Sequence, residues 1–176
     1  MMKLLRIGKN LVNVIISALF LPLLALCAVF VRLFFASNLS IKPRFVWGST
    51  PIISNSYWAR AMRAAGYKSE TFTTNFYSTI NARQDWDHLL TEKFLWIPLP
   101  LLKPYLAFLI ALFNYDIFVL SFDGFFLGTT PLNRLQAFFL ALAGKRTIVM
   151  PYGYDSYVYS NIKSIYLGQE AMVNNI

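Results

Sequence analysis

The sequence predicts an α/β fold: a parallel sheet with flanking helices, preceded by an N-terminal membrane helix. Three observations carry that expectation. From residue 43 onward, short apolar runs alternate with helical stretches that have one apolar face. Residues 45–66, FVWGSTPIISNSYWARAMRAAG, join a strand, a glycine loop and a helix in the order that opens a Rossmann-like sheet. Residues 11–31 form a nearly unbroken apolar run.

The apolar run comes first along the chain. At ~1.5 Å per residue it roughly matches the hydrocarbon core of a bilayer. It is long for a signal peptide and no small-x-small cleavage pattern follows it. An uncleaved anchor is the expected reading, with a cleaved signal as its competitor. Lys3, Arg6 and Lys9 precede the run, while Arg32, Lys42 and Arg44 follow it, so the positive-inside rule leaves orientation nearly tied. Residues 1–39 are therefore read as anchor and linker, and residues 40–176 as the Rossmann-like domain.

Within the domain, Phe45, Val46 and Trp47 form the first strand and Gly48-Ser49-Thr50-Pro51 breaks it. Ser54 or Asn55 is expected to cap the following helix. Trp58, Ala61, Met62 and Ala65 are expected on its buried face, and Gly66 at its left-handed end. Residues 67–72 read as a second strand. Residues 75–92 read as an irregular loop leading into a short helix. Residues 98–113 are apolar but contain Lys103 and Pro104. They read as a buried or membrane-skimming helix rather than a second crossing.

The run DIFVLS at residues 116–121 reads as a buried strand, followed by a loop with Gly124 and Gly128. Thr130 and Pro131 read as the cap and first residue of a helix whose apolar face is Leu132, Leu135, Phe138, Phe139 and Leu142. Residues 146–150 form another strand, and PYGYD is the loop after it. Residues 161–173 are weakly helical.

Composition excludes several functions. Hydrophobic residues make up 57% of the 176 and aromatic ones 17%, high for a soluble domain. Net charge is +8, of which residues 1–39 carry four; the remainder has twelve basic and eight acidic groups. That balance lacks the polybasic stripe of a nucleic-acid binder, but it suits an anionic leaflet or a phosphorylated ligand. Cys27 and His88 are the only residues of their types, which excludes an internal disulfide and argues against a zinc centre or a Ser-His-Asp triad. No G-x-G-x-x-G and no Walker lysine loop is present. No cofactor or metal is called for.

If the strands are parallel, the loops at residues 48–54, 122–130 and 151–156 share one edge of the sheet. They bring together Gly48, Ser49, Thr50, Asp123, Thr129, Tyr152, Gly153, Tyr154 and Asp155. Glycines allow close backbone approach, and carboxylates accept hydrogen bonds from sugar hydroxyls. Gly48 and Pro51 also serve as ordinary turn residues, Asp123-Gly124 as an ordinary turn pair, and Asp155 as a cap.

The order of anchor, then GSTPIISNSYWARAMRAAGY, then YDIFVLSFDGFFLG, then TIVMPYGYD, resembles the amino-terminal half of a GT-B glycosyltransferase. That resemblance implies an acceptor-side domain, half of a GT-B fold. A donor-binding domain, absent here, would take the nucleotide-sugar. In TIVMPYGYD, Tyr152 stands where the family often has histidine, while Gly153 and Asp155 keep their places. The resemblance implies sugar transfer to a lipid-linked or polysaccharide acceptor. Asp155 and Asp123 are the candidate catalytic carboxylates; Gly48, Ser49, Thr50, Tyr152 and Gly153 are the candidate substrate contacts. It further implies that the chain alone is inactive or nearly so, that the membrane is a partner and nucleic acid is not. The folded part is expected on the cytoplasmic side, where nucleotide-sugars are made. The alternative expectation is a non-catalytic, membrane-anchored subunit that recruits the donor-binding half of a split enzyme. A third is a small membrane protein with no ligand and no pocket at these loops.

Overall fold

A computed structural model of the chain describes residues 2–35, 42–79 and 82–151. Helix α1, Met2–Phe35, leads into strand β1, Phe45–Trp47, and helix α2, Ile53–Ala64. Strand β2, Ser69–Thr73, and the two-residue strand β3, His88–Leu89, come next. Two helices follow: the single turn α3, Leu90–Lys93, and α4, Lys103–Asn114. Strand β4, Ile117–Leu120, helix α5, Gln136–Leu142, and strand β5, Arg146–Val149, complete the order.

The five strands form one sheet in the order β3-β2-β1-β4-β5. Every pairing is parallel, with Phe45 opposite both Ser69 and Ile117. This is the Rossmann-like α/β sheet that the alternating runs predict. The strands alternate side chains between two faces. Val46, Phe118 and Leu120 join the larger core with α4 and α5. Phe45, Trp47, Ile117 and Val119 meet Ala59 and Met62 of α2 on the other face.

Helix α1 adds a further layer outside α4 and α5. Ile16, Leu24, Ala28 and Val31 are buried in the same core as Phe108 and Phe139. Phe20 stacks on Tyr105 with ring centroids 4.6 Å apart. The hydroxyls of Ser17 and Tyr105 lie 2.7 Å apart, and Arg32 Nη1 donates to the carbonyl of Ala141. α4 is thus the buried form of the 98–113 stretch, with Tyr105, Ala107, Phe108, Ala111 and Leu112 enclosed.

Four sequence expectations are corrected. β3 lies inside the stretch expected to be loop and short helix. It is held by the Asp87 carboxylate, which accepts from Thr71 N at 2.8 Å and Arg63 Nη1 at 2.9 Å. Ser54 and Asn55 do not cap α2; the cap position is Ile52, with no side-chain bond. The buried residues of α2 are Asn55, Ser56 and Ala59 rather than Trp58, Ala61 and Ala65. The cause is a polar contact: Ser56 Oγ donates to the carbonyl of Asp85 at 2.7 Å and turns that face inward. The helix expected from Thr130 is instead a 3-10 turn, Asn133–Leu135, followed by α5. Thr130 does not cap that turn: its Oγ1 accepts from Leu132 N at 3.2 Å, and Leu132 itself is the cap position, with no side-chain bond. The tighter winding shifts the phase of the helix, so Leu135 and Phe138 face out while Phe139 and Leu140 are buried.

Candidate functional site

β1 and β4 are neighbours at the middle of the sheet, where the strand order reverses. From β1 the chain crosses to α2 on one face; from β4 it crosses to α5 on the other. The trailing loops of these strands therefore part and leave a crevice at the carboxyl edge, the usual ligand position in open parallel sheets.

Gly48 follows β1 where backbone crowds backbone. A Cβ there would sit 2.0 Å from the Phe72 carbonyl oxygen. Gly48 N donates to the Val119 carbonyl at 3.2 Å, and Thr74 N donates to the Ser49 carbonyl at 3.0 Å. The loop after β1 is thereby tied to the ends of both neighbouring strands. Thr50 Oγ1 and Ser121 Oγ lie 3.1 Å apart and close the floor between β1 and β4. After β4 the chain turns at Gly124, which has φ of +82° and where a Cβ would meet Gln136 Nε2 at 2.0 Å. Gln136 Oε1 accepts from Phe125 N at 2.8 Å and pins this turn to the start of α5.

The result is a cleft of about 600 Å³ lined by Ser49, Thr50, Thr74, Tyr77, Asp123 and Arg134, with Phe122, Thr129, Asn133 and Gln136 around them. Of the sequence candidates, Ser49, Thr50 and Asp123 line this one cleft; Gly48, directly after β1, is not among its lining residues. Tyr152, Gly153 and Asp155 lie outside the described residues. β5 ends at the same edge, and the described chain stops just after it, at Pro151.

Sequence reasoning missed Thr74, Tyr77, Asn133, Arg134 and Gln136. The signal for Thr74 and Tyr77 was available: they follow β2, so the rule that gathers trailing loops at one edge applies to them too. Asn133 and Arg134 had no such signal, because their position depends on the 3-10 turn.

The lining combines hydroxyls, carboxamides, one carboxylate, one guanidinium and three aromatic rings, those of Tyr77, Phe122 and the buried Phe125. Hydroxyls and amides match a polyhydroxylated ligand group for group. Tyr77 and Phe122 offer flat apolar faces, and the Arg134 guanidinium suits a phosphate or carboxylate oxygen. Among the described residues no cluster of three His, Cys, Asp or Glu side chains is placed to hold a metal.

The strongly shifted ionisable groups lie at the opposite edge of the sheet. Asp116 accepts from Arg44 Nε at 3.0 Å and Nη2 at 2.9 Å. Burial works to raise its pKa, but the Arg44 bonds prevail and hold the carboxyl below the ordinary range. Lys145 is enclosed beside them, 3.9 Å from Asp116, and burial lowers its pKa to about 8. Tyr115 is raised by burial and by donating its hydroxyl hydrogen bond to Glu70. These groups join β1, β2, β4 and β5 at their starts and belong to the scaffold.

The chain matches no protein-family model, no curated protein and no solved structure.

Proposed function

We propose that this chain is the acceptor-side domain of a GT-B type glycosyltransferase, held at a membrane by α1. The observation that carries this reading is the cleft at the β1–β4 reversal, lined by Thr50, Asp123, Arg134 and Tyr77. In the reaction an acceptor hydroxyl oxygen bonds to the anomeric carbon of the donor sugar. The bond from that carbon to the nucleoside diphosphate breaks, and the diphosphate leaves with the electron pair. The hydroxyl proton passes to a carboxylate, for which Asp123 at the cleft and Asp155 after β5 are the candidates. Arg134 would bind an anionic group of the acceptor. The donor site belongs to a second domain or subunit, and the reactive face of the enzyme is cytoplasmic.

The test is ligand binding by the full chain in lipid nanodiscs, followed by saturation-transfer NMR. Saccharides linked to a polyprenyl phosphate should show transfer that weakens in Arg134→Ala, whereas nucleotide-sugars should show none. Tight nucleotide-sugar binding, or no saccharide contact across such a panel, would overturn the assignment.

A second reading has its own observation. Ile148 and Val149 are exposed on the edge strand β5, at 45% and 48%. Such an edge suits a non-catalytic anchored subunit that recruits a separate donor-binding half. The readings separate in an assay supplemented with that half: Asp123→Asn and Asp155→Asn should leave transfer intact only if this chain is a recruiter.

A further inference from the structure

α1 is apolar on every side, but only one side meets protein. Ile16, Leu24, Ala28 and Val31 are buried, while Leu19, Leu26 and Leu33 on the opposite side are each exposed by about two thirds. No charged residue occurs between positions 10 and 31. A helix apolar all round requires an apolar environment on both sides. By length and composition, residues Asn10–Phe35 are long enough to cross a bilayer. Packing argues against an upright crossing. α1 is pinned over its second half, from the Ser17–Tyr105 contact to the Arg32–Ala141 contact. If it stood upright in the bilayer, α4, α5 and the sheet behind them would be drawn into hydrocarbon. The outer edge of β5, unpaired among the described residues, and the Arg44–Asp116–Lys145 cluster would then enter hydrocarbon without water, at prohibitive cost.

A second apolar element lies next to α1. Leu95 and Trp96 are exposed at 76% and 77%, more than any other large apolar side chain described. Their segment runs directly into the 3-10 turn Pro100–Leu102, which packs against α1. Lys93 and Lys103 flank the segment, and the first acidic residue of the whole chain is Glu70. Exposed tryptophan beside lysine is the composition of a bilayer interface, and a basic apolar surface fits anionic headgroups.

We infer that the outward face of α1 and the Leu95–Trp96 segment form one lipid-facing surface, with α1 lying along an anionic bilayer and the α/β domain resting on it. The surface is independent of the sugar-transfer reading. A second copy of the chain or a protein partner is a competing occupant, and the experiment tells them apart.

The experiment uses the full chain in nanodiscs of mixed phosphatidylcholine and phosphatidylglycerol, loaded at one copy per disc. Acyl chains brominated near the headgroup should quench part of the tryptophan emission, and that part should vanish in Trp96→Phe. Trp96 emission that stays unquenched by brominated lipid and open to aqueous iodide would overturn the proposal. So would iodide shielding that appears only when two copies share a disc, which would assign the surface to a dimer. Nitroxides placed singly at Leu19→Cys, Leu26→Cys and Leu33→Cys in a Cys27→Ala background should report one similar, shallow depth. A depth that passes through the bilayer centre along this series would show a spanning helix and reject the in-plane arrangement.

Discussion

The hydroxyls of Thr50 and Ser121 meet at 3.1 Å across the reversal of the sheet. One lies in the loop after β1 and the other directly follows β4, so this contact fixes the width of the crevice floor. Both strands then send their chains to opposite faces, and the cleft opens above the pair. The site is a consequence of topology first and of side-chain identity second.

Gly48→Ala should destabilise the domain. The added methyl would lie 2.0 Å from the Phe72 carbonyl, where backbone on both sides blocks relaxation. Overpacking of this kind costs roughly 1–3 kcal/mol. Denaturant unfolding in detergent, with tertiary packing read by near-ultraviolet circular dichroism, should show the loss.

Tyr105 should matter more by its ring than by its hydroxyl. Ser17 also donates to the Asn13 carbonyl at 2.7 Å, so Tyr105→Phe leaves the serine with a partner. The expected cost is near one hydrogen bond, about 0.5–1.5 kcal/mol. Tyr105→Ala also removes the stack on Phe20 and opens a cavity between α1 and α4, at roughly 3–5 kcal/mol. Thermal melts of both variants in the same detergent would rank them.

Lys145 makes stability depend on alkaline pH. Its pKa falls from the ordinary 10.5 to about 8 because burial disfavours the charged form. Between those values the unfolded chain keeps a proton that the folded chain has released, so this group's contribution to stability rises with pH. Asp116 and Arg44 are the charges that face it; the first opposes the shift and the second adds to it. Tyr115 acts in the reverse sense near pH 10 and above, since its raised pKa keeps its proton in the folded state. Unfolding at pH 7, 8, 9 and 9.5 should therefore show a rising stability that flattens in Lys145→Met.

Asp123→Asn should leave the fold intact, because the residue sits exposed at the mouth of the cleft. In an assembled enzyme, loss of a general base lowers turnover by ~10²–10⁴-fold. Arg134→Ala should mainly raise KM for an anionic acceptor. Steady-state kinetics with a donor-binding half supplied would separate the two effects, and a loss of only a few-fold in Asp123→Asn would leave it a turn residue.

The sheet was legible in the sequence where strands are apolar on both sides. FVW and IFVL are buried at every residue and pair as expected, because a parallel strand covered on both faces reads as such a run. RTIV, exposed along its length, was instead marked by Gly144 before it and Pro151 after it. β3 was not legible. His88–Leu89 is too short to show a period, and its pairing with Phe72 and Thr73 is fixed by Asp87 capturing Thr71 and Arg63. The face of α2 was misread because its inner residues are Asn55 and Ser56, polar groups that bury only when a partner such as the Asp85 carbonyl arrives from elsewhere in the chain. In the cleft, Ser49, Thr50 and Asp123 followed from strand order, while Asn133 and Arg134 depended on a 3-10 turn that no spacing announced.

By itself the sequence determined the class of fold, the central strands, the edge at which their loops gather and the apolar N-terminal helix. Each of these follows from local periodicity or from chain order, and both can be read one residue after another. Tertiary structure alone decided that α1 packs on α4 and α5, that β3 joins the sheet, and that Asn133 and Arg134 share one cleft with Asp123. Those outcomes rest on contacts between distant segments, such as Ser17 with Tyr105, whose strength comes from burial that exists only once the chain has folded.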